Sequence, residues 1–270
     1  TCKIAEIVVV GGVRRSALIS LSNLSDDRMR LAKSGQWWET QTQRALANNS
    51  ACYTERTDIG IFMDEWQSLY ESKSGERGIF NRLAAKTQAA KNGRRDPDYN
   101  FGTNPCSEII LRSEEFCNLS EVVVRSNDTL DTLKEKVINA TILGTFQSTL
   151  TNFRYLNKRW FQNCEEERLL GVSLTGIMDN PLTNGKKKGL EDLLTSLKAV
   201  AIATNKEWAK KLRINQSVAV TCVKPSGTVS QLVDSASGIH ARHNQYYIRT
   251  VRADKKDPLA QMMIDAGFPV

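Results

Sequence analysis

A short segment near the middle of the chain, "NPCSEIILRSEEFCNLSE" (residues 104–121), places an amide, a thiol and a carboxylate within five residues. Asn104 lies two positions before Cys106, Glu108 lies two positions after it, and Cys117 follows the first thiol by eleven positions. Thiols and carboxylates supply nucleophilic, redox and acid–base chemistry. The preceding residues are rich in Gly, Pro, Asn and Asp, which predicts a loop. This loop is therefore a candidate catalytic site.

A second segment, "KPSGTVSQ" (residues 224–231), offers small side chains, hydroxyl groups and exposed backbone N–H groups. A helix beginning near Thr228 would direct free N–H groups and a partial positive charge at a ligand, which is how many proteins hold phosphate. The segment lacks the spacing of a Walker loop. An ordinary capped helix has the same composition, so this pattern alone leaves both interpretations open.

Strands and long helices alternate along the chain, which predicts an α/β fold with parallel strands. Strands are predicted in "RRSALISL", "EIIL", "SEVVV", "LLGVSL", "SVAVTCV" and "YYIRTV". Helices are predicted in "DIGIFMDEWQSLYES", "GIFNRLAAKTQAAKNG", "LEDLLTSLKAVAIATNKEWAKKL" and "DPLAQMMIDAG", with the longest in "DTLDTLKEKVINATILGTFQSTL".

Composition limits the possible partners. The chain has 270 residues, 40% of them hydrophobic, and no apolar run long enough to span a bilayer. The first residues do not resemble a signal peptide, so we expect a cytoplasmic protein without a membrane partner. The net charge of +7 is spread along the sequence apart from "GKKKG" at 185–189, which we interpret as a solvated loop. Basic and aromatic residues do not alternate, and direct nucleic-acid binding is not expected.

The six cysteines form no C-x-x-C pair, and the chain has only two histidines. A zinc site is therefore not expected, and no other metal site is predicted. The thiols should be reduced. We interpret four cysteines as structural, namely Cys2, Cys52, Cys164 and Cys222. His240 and His243 are interpreted as hydrogen-bonded structural residues, and Tyr246 and Tyr247 as packing residues.

Taken together, the motifs resemble those of one enzyme family. The sequence contains, in order, "GGVRRSA", "RALANNS", "NPCSEIIL", "FCNLSEVVV", "GVSLTGIMD", "KPSGTVSQ" and "SGIHARHNQYYIRTVR". This series resembles the adenosylcobalamin-dependent (class II) ribonucleotide reductases, and most closely their monomeric ribonucleoside-triphosphate reductase type. The resemblance extends from about Gly11 to the last residue.

The resemblance implies roles for the residues of the first loop. Cys106 matches the cysteine that becomes a thiyl radical and abstracts the 3′ hydrogen of the ribose. Glu108 matches the general base for the 3′-OH, and Asn104 matches the amide that holds the ribose hydroxyls. Cys117 matches one of the two cysteines that deliver the reducing electrons and become a disulfide.

The same resemblance implies binding sites and a cofactor. The residues that match the substrate phosphate site are Pro225, Ser226, Gly227, Thr228, Val229 and Ser230. Residues 44–50, with Asn49 and Ser50, match the segment that connects the substrate base to a deoxynucleotide effector. The implied substrate is a ribonucleoside triphosphate, the cofactor is adenosylcobalamin, and thioredoxin or another dithiol is the reductant.

The family fold is a ten-stranded α/β barrel with the catalytic loop as a finger at its centre. Residues 1–270 would then form a partial catalytic barrel domain, because both ends of the sequence look like cuts through a larger fold. The second reducing cysteine should precede "GGVRRSA", and Cys2 is too close to that motif to serve. We therefore expect a second polypeptide that carries the N-terminal half of a split reductase.

Two other functions remain open. The chain could be a nucleotide-binding, non-catalytic reductase fragment, although retention of Asn104, Cys106, Glu108 and Cys117 together favours an enzyme. A thiol hydrolase using Cys106 with His240 is less well supported, because no oxyanion motif is present.

Overall fold

The computed structural model describes residues 2–6, 9–10, 13–14, 17–248, 250, 253–254 and 256–269. By its internal packing the chain divides into two compact units. The first unit comprises Thr1–Leu83 and Tyr246–Val270, and the second comprises Ala84–Gln245. The motif at 11–17, the end of the motif at 237–252 and the strand predicted at 246–251 lie partly outside the described residues. No helix in the described part is long and apolar enough to cross a membrane.

The first unit consists of short strands and helices around one parallel sheet. Its elements are α1 (Cys2–Glu6), β1 (Val9–Val10), β2 (Val13–Arg14), β3 (Leu18–Ser22), α2 (Asp27–Arg30), α3 (Trp37–Thr40), a 3-10 helix (Thr42–Leu46), β4 (Ala47–Tyr53), α4 (Ile59–Ser72), β5 (Gly78–Asn81) and α10 (Pro258–Asp265). The helix α5 (Arg82–Ala90) crosses the boundary between the units.

The sheet of the first unit has the order β3-β4-β5, and both pairs are parallel. The central strand β4 pairs Ser50 with Leu21 on one side and with Gly78 on the other. The helix predicted from Gly78 onward is therefore wrong at its start, because residues 78–81 extend the sheet and the helix begins at Arg82. A short apolar run is ambiguous between strand and helix until its neighbours are known.

The second unit holds the longer helices. Its elements after α5 are β6 (Gly102–Thr103), β7 (Ile110–Leu111), β8 (Asn118–Val123), α6 (Leu130–Gln147), α7 (Lys158–Glu167), β9 (Leu170–Thr175), a 3-10 helix (Ile177–Asp179), α8 (Leu190–Leu212) and α9 (Gly227–Leu232). The prediction that α6 is the longest helix is wrong, since it has 18 residues and α8 has 23.

Two features of the sequence determine the ends of these helices. Thr129 caps α6 in a capping box with Thr132, so the helix starts there. The helix α8 has acidic residues in its first turn and lysines in its last turn, which suits the helix dipole. The helix α6 packs against β8 and β9, α8 packs against α6, and residues of all four elements share one apolar core. Its buried members are Val122, Val124, Leu133, Val137, Leu170, Val172, Leu197, Ala201 and Val220.

The strands β8 and β9 are parallel and pair from Asn118 with Leu170 to Val123 with Thr175. Residues 217–223, predicted as a strand, run beside β9 without regular pairing. Leu170 N–H donates to the carbonyl of Ala219 (3.0 Å), whereas Val172 N–H donates to that of Val220 (2.9 Å). Two residues of β9 thus correspond to one residue of the neighbouring segment, which resembles a β-bulge.

The expected α/β class with parallel strands is confirmed. Within the described residues the strands form one three-stranded sheet and three two-stranded sheets. Two of the two-stranded sheets, β1–β2 and β6–β7, are antiparallel.

Candidate active site

The loop that carries Cys106 is the tip of a small hairpin. The strands β6 and β7 pair Gly102 with Leu111 and Thr103 with Ile110. At the tip, Ser107 N–H donates to the carbonyl of Asn104 at 2.9 Å, which closes a turn. The cysteine occupies the third position of this turn, after Pro105, where proline fixes the backbone. The thiol therefore lies at a corner that the loop's own hydrogen bonds define.

Asn104 also organises the loop through its side chain. Its Oδ1 accepts a hydrogen bond from Ile109 N–H at 3.0 Å, and Thr103 Oγ1 donates to the carbonyl of Ile109 at 2.9 Å. The amide oxygen thus accepts a hydrogen bond within the loop, whereas the Nδ2 group can donate hydrogen bonds to a ligand.

Cys106 is exposed, and Ser107 beside it has a φ of +61°. This left-handed conformation is uncommon for a residue with a Cβ. Although Cys106 as a whole is exposed, partial burial of its thiol raises the thiol pKa. The negative charge of Glu108 raises this pKa further, and the positive charge of Lys224 lowers it in part. The thiol is therefore protonated near neutral pH, which suits a hydrogen-atom reaction better than nucleophilic attack.

Glu108 lies beside a cavity of about 140 Å³. Its Oε2 atom is buried and accepts no hydrogen bond from the described residues. An unpartnered buried carboxylate oxygen is costly unless another group supplies a proton or a donor. The residues around the cavity are Gln88, Ala89, Asn92, Arg94, Arg95, Glu108, Ile109, Ile110, Leu170, Lys198, Val218, Ala219, Val220 and Thr221.

Cys117 is half-buried immediately before β8, and the charge of Glu108 acts on its thiol. Burial raises the pKa of its thiol to about 11, with further contributions from the charges of Glu108 and Glu115. The charge of Lys224 lowers this pKa in part. The two cysteines of the motif therefore share the same carboxylate and the same lysine as electrostatic neighbours.

Two residues near this group were not assigned to it from the sequence. Burial, followed by the charges of Glu108 and Cys117, raises the pKa of Cys222 to about 12, so Cys222 is a neighbour of the site and not a distant core residue. Its Sγ lies 3.0 Å from the place where a Cβ on Gly171 would be. Lys224 is the first residue of the "KPSGTVSQ" segment, and its place beside the two thiols was not predicted. Their positions depend on β9 lying between distant segments, which no local pattern reveals.

The second loop leads into the six-residue helix α9. Ser226 is buried, and its Oγ has no hydrogen-bond partner among the described residues. Ser230 is fully buried, and its Oγ donates to the carbonyl of Gly227 at 2.7 Å. Gly238 has a φ of +52°, and a Cβ there would lie 2.8 Å from the carbonyl oxygen of Lys224, so glycine is required for this close approach. The side chain of Thr228 lies outside the described part.

The remaining predicted residues lie in several places. Asn49 and Ser50 belong to β4 of the first unit, where Asn49 N–H donates to Glu76 Oε2 at 2.8 Å. Cys52 and Cys164 are buried, as expected of structural cysteines. His240 is exposed, and its Nδ1 lies 3.2 Å from the carbonyl oxygen of Ser237.

The interpretation of the tyrosine pair as packing residues is wrong. Tyr246 is 81% exposed and Tyr247 is 51% exposed. In the described part of the chain, no group of three or more His, Cys, Asp or Glu residues is placed to hold a metal ion.

Solved structures share this fold. A crystal structure described as a B-12-dependent (class II) ribonucleotide reductase matches with a TM-score of 0.63 at 24% identity, over 82% of this chain and 34% of that one. The alpha subunit of the Actinobacillus ureae class Id ribonucleotide reductase matches with a TM-score of 0.67 at 14% identity, over 98% of this chain and 55% of that one. The chain therefore shares the mixed α/β fold of the matching parts of these two proteins.

Curated relatives match this chain in sequence as well. The adenosylcobalamin-dependent ribonucleoside-triphosphate reductase of Lactobacillus acidophilus is 29% identical over 295 residues, which cover 98% of this chain and 38% of that protein. The enzyme of the same name from Euglena gracilis is 28% identical over 276 residues, which cover 99% of this chain and 36% of that protein. No family model matches the chain.

The chain is a homologue of these reductases, so the resemblance seen in its motifs is confirmed. It spans little more than a third of the length of the curated relatives that it matches.

Proposed function

We propose that this chain carries the thiyl-radical site of an adenosylcobalamin-dependent ribonucleoside-triphosphate reductase. The observation that carries the proposal is the shared electrostatic environment of Cys106 and Cys117 beside Glu108 and Lys224. In the reaction, the ribose loses its 2′-OH as water and gains a hydrogen at C2′, while two thiols are oxidised to a disulfide.

Each residue of the hairpin has one task in this proposal. Cys106, as a thiyl radical, takes the hydrogen atom from C3′ and returns it at the end, so its exposed position at the turn serves access to the sugar. Glu108 accepts the 3′-OH proton with the Oε2 atom that has no donor among the described residues. Asn104 offers its Nδ2 group to a ribose hydroxyl while its Oδ1 maintains the turn.

Adenosylcobalamin is the cofactor we assign. When bound, it supplies the organic radical that oxidises a thiol to a thiyl. The exposed thiol of Cys106 fits such a partner, because Cys117 and Cys222 are only partly accessible and Cys52 and Cys164 are buried. The histidines are not proposed as ligands of the cofactor, since the ring of His240 makes its contact locally with Ser237.

The loop from Pro225 to Ser230 is proposed to bind the substrate phosphates. Its support is the buried Ser226 hydroxyl, which has no hydrogen-bond partner among the described residues, together with the positively charged Lys224 two positions earlier in the chain. Ser226→Ala should weaken triphosphate binding by about tenfold, because a hydrogen bond to a charged group is lost. Ser126→Ala, at an exposed serine outside the loop, is the control and should leave triphosphate binding unchanged.

We further propose that the rest of the reductase is supplied by a second polypeptide that completes a ten-stranded barrel. The support is that the chain covers 38% of a relative and that its described sheets contain two or three strands. That polypeptide would bring the second reducing cysteine to Cys117, at a Cα separation of about 4.4–6.8 Å. A dithiol such as thioredoxin would reduce the resulting disulfide.

Two smaller proposals follow. Residues 44–50 of the first unit, with Asn49 and Ser50 in β4, are proposed to respond to a deoxynucleotide effector. The enzyme is proposed to act in the cytoplasm, since all six cysteines are free thiols, as a reducing compartment would keep them.

The decisive experiment uses the chain together with the polypeptide that completes it, adenosylcobalamin, a dithiol and ribonucleoside triphosphates. Cys106→Ser should abolish reduction and leave nucleotide binding within a few-fold, because an O–H bond is too strong for the hydrogen exchange. Cys2→Ser is the matched control and should retain turnover. Turnover by the Cys106→Ser enzyme would exclude the thiyl assignment, and binding without turnover by the unmodified pair would favour a non-catalytic nucleotide-binding fragment.

A further inference from the structure

We propose that Glu115 and Glu167 share one proton between Arg95 and Arg112, and that this buried cluster, the loop anchor, holds the Cys106 hairpin in position. The loop anchor comprises these four residues. Its effect on catalysis rests on the function proposed above, whereas the shared proton and the support of the hairpin do not.

The contacts of Arg95 connect three segments of the second unit. Its guanidinium donates to both carboxylate oxygens of Glu167 at the end of α7, at 2.9 and 2.5 Å. It also donates to Glu115 Oε2 at 3.3 Å and to the carbonyl of Ile110 in β7 at 2.8 Å. Ile110 lies two positions after Glu108, so Arg95 directly supports the strand that leaves the catalytic loop.

Arg112 completes the cluster from the other side. Its backbone N–H donates to Glu115 Oε2 at 2.7 Å, and its Nη2 lies 2.9 Å from Glu167 Oε1. Its Nη1 reaches Glu166 at 3.0 Å, at the rim of the cluster, where that carboxylate is mostly exposed. The guanidinium also lies 3.7 Å from the centre of the Tyr99 ring.

An unsatisfied carboxylate oxygen points to a bound proton. Arg112 is shared between Glu167 and the mostly exposed Glu166, so the two cations of the loop anchor are divided among three carboxylates. Glu115 is 4% exposed and Glu167 is 1% exposed. Glu115 Oε1 is buried and has no hydrogen-bond donor among the described residues. A proton on Glu115 would remove an unsatisfied negative charge from the interior.

The pKa of Glu115 follows the same geometry. Burial raises it, and the hydrogen bond with Glu167 and the charge of Glu167 raise it further, to about 9. The Arg112 N–H and the Arg95 charge oppose this rise. Groups on other elements that face Glu115 are Cys117 before β8 and Cys164 on α7, and the Glu115 charge raises the pKa of both thiols.

The loop anchor supports the hairpin at its base. Ile110 pairs with Thr103, and the adjacent Ile109 N–H bonds to Asn104, so displacement of Ile110 would disturb the turn that presents Cys106. Arg95, Arg112, Glu115 and Glu167 are thus positioning residues, because they act through Ile110 and do not reach the reacting atoms.

The test compares three variants of the full 270-residue chain by infrared spectroscopy and hydrogen exchange, without nucleotide or cofactor. Wild type should show the C=O stretch of a buried protonated carboxyl group, and Glu115→Gln should lose that band. Glu115→Gln has the shape of the protonated acid, so exchange in residues 102–111 should stay within about twofold of wild type. Glu115→Ala and Glu167→Gln should accelerate exchange there by about fivefold or more.

Retention of the carboxyl C=O band in Glu115→Gln would overturn the proposal that Glu115 and Glu167 share a proton. Equal acceleration by Glu115→Gln and Glu167→Gln would show that Glu115 is needed as an anion, which also contradicts the proposal. Unchanged exchange in Glu115→Ala would show that the cluster does not support the hairpin. Each of these results is independent of reductase activity, so it would leave the proposed function intact.

Discussion

A buried glutamate sits among arginines in each unit, yet the two glutamates titrate in opposite directions. In the first unit, Glu65 receives hydrogen bonds from Arg77 at 2.6 and 2.7 Å and from Arg30 at 3.2 Å. In the second unit, Glu115 and two further carboxylates share Arg95 and Arg112. Burial raises the pKa in both places, so the ratio of cations to carboxylates decides the outcome.

Around Glu65, burial alone would raise the pKa, but the hydrogen bonds and charge of Arg77, followed by those of Arg30, outweigh it and lower the pKa. One buried carboxylate with two guanidinium groups is thus held ionised, although the exposed Asp27 also bonds to Arg30. Around Glu115 two buried carboxylates share two guanidinium groups, and its pKa rises. Similar residues with similar burial therefore produce a fixed negative charge at Glu65 and a protonated carboxyl group at Glu115.

The largest expected difference is in stability at neutral pH. Glu65→Gln should destabilise the first unit by about 3–5 kcal/mol, because it leaves Arg77 buried without its anion. Glu115→Gln should leave the second unit at least as stable as wild type, because the amide replaces a neutral acid of the same shape and does not ionise in the unfolded chain. Urea unfolding would measure both, with Trp66 as the fluorescent probe for the first unit and Trp160 for the second, each in a background in which the other four tryptophans are replaced by Phe.

Trp160 is a suitable probe because its ring centre lies 4.5 Å from that of Phe116, the neighbour of Glu115. Equal losses of unfolding free energy in the two glutamine variants would contradict the inferred difference in charge between Glu65 and Glu115. Glu71→Gln, on the exposed side of α4, is the control and should be almost neutral.

Helices, strands and turns of this chain could be predicted from the sequence, whereas its buried charged clusters could not. The helix from Leu190 to Leu212 was predicted with its observed ends, because acidic and basic residues mark its first and last turns. The catalytic turn was predicted as a loop because the segment is rich in Gly, Pro, Asn and Asp, and the hairpin carries it. Local chemistry determines both features, so a local pattern could reveal them.

The loop anchor left no comparable signal. Arg95 and Glu167 are 72 positions apart, and the charges around them look like ordinary surface residues in a sequence. The same holds for Cys222 and Lys224, which approach the catalytic loop only because residues 217–223 run beside β9. Long-range packing decides these contacts, and a single sequence carries no record of it.

A smaller effect should appear as opposite dependence on pH. The pKa of Glu65 is lowered on folding, so its stabilising contribution is present above about pH 4.5 and is lost as the pH falls through the folded value. The pKa of Glu115 is raised to about 9, so its contribution is present below about pH 4.5 and is lost as the pH rises toward 9.

The free energy of unfolding of the second unit should therefore decline between these values, with a slope of at most about 1.4 kcal/mol per pH unit for one proton. Glu115→Gln should flatten this decline, and Glu65→Gln should flatten the acid loss of the first unit. Urea titrations at a series of pH values would test both slopes. An unchanged slope in Glu115→Gln would assign the alkaline loss to another group.

The smallest expected effect concerns the turn that the loop anchor supports. Ser107 has a φ of +61°, and its side chain is exposed. If the anchor holds this turn, it also holds the strain of a residue with a Cβ in the left-handed region. Ser107→Gly should remove that strain and stabilise the second unit by up to about 1 kcal/mol, although the greater freedom of glycine in the unfolded chain offsets part of the gain.

Ser107→Ala keeps the Cβ and should be neutral, which makes it the matched control for loss of the hydroxyl. Combining Ser107→Gly with Glu167→Gln tests whether the two features are connected. If the weakened anchor lets the turn relax, serine is no longer strained there, so the gain from glycine should shrink in the double variant. Additive changes in the free energy of unfolding would mean that the turn keeps its conformation without the anchor. The hydrogen bonds from Ser107 and Ile109 to Asn104 would then be sufficient to maintain it.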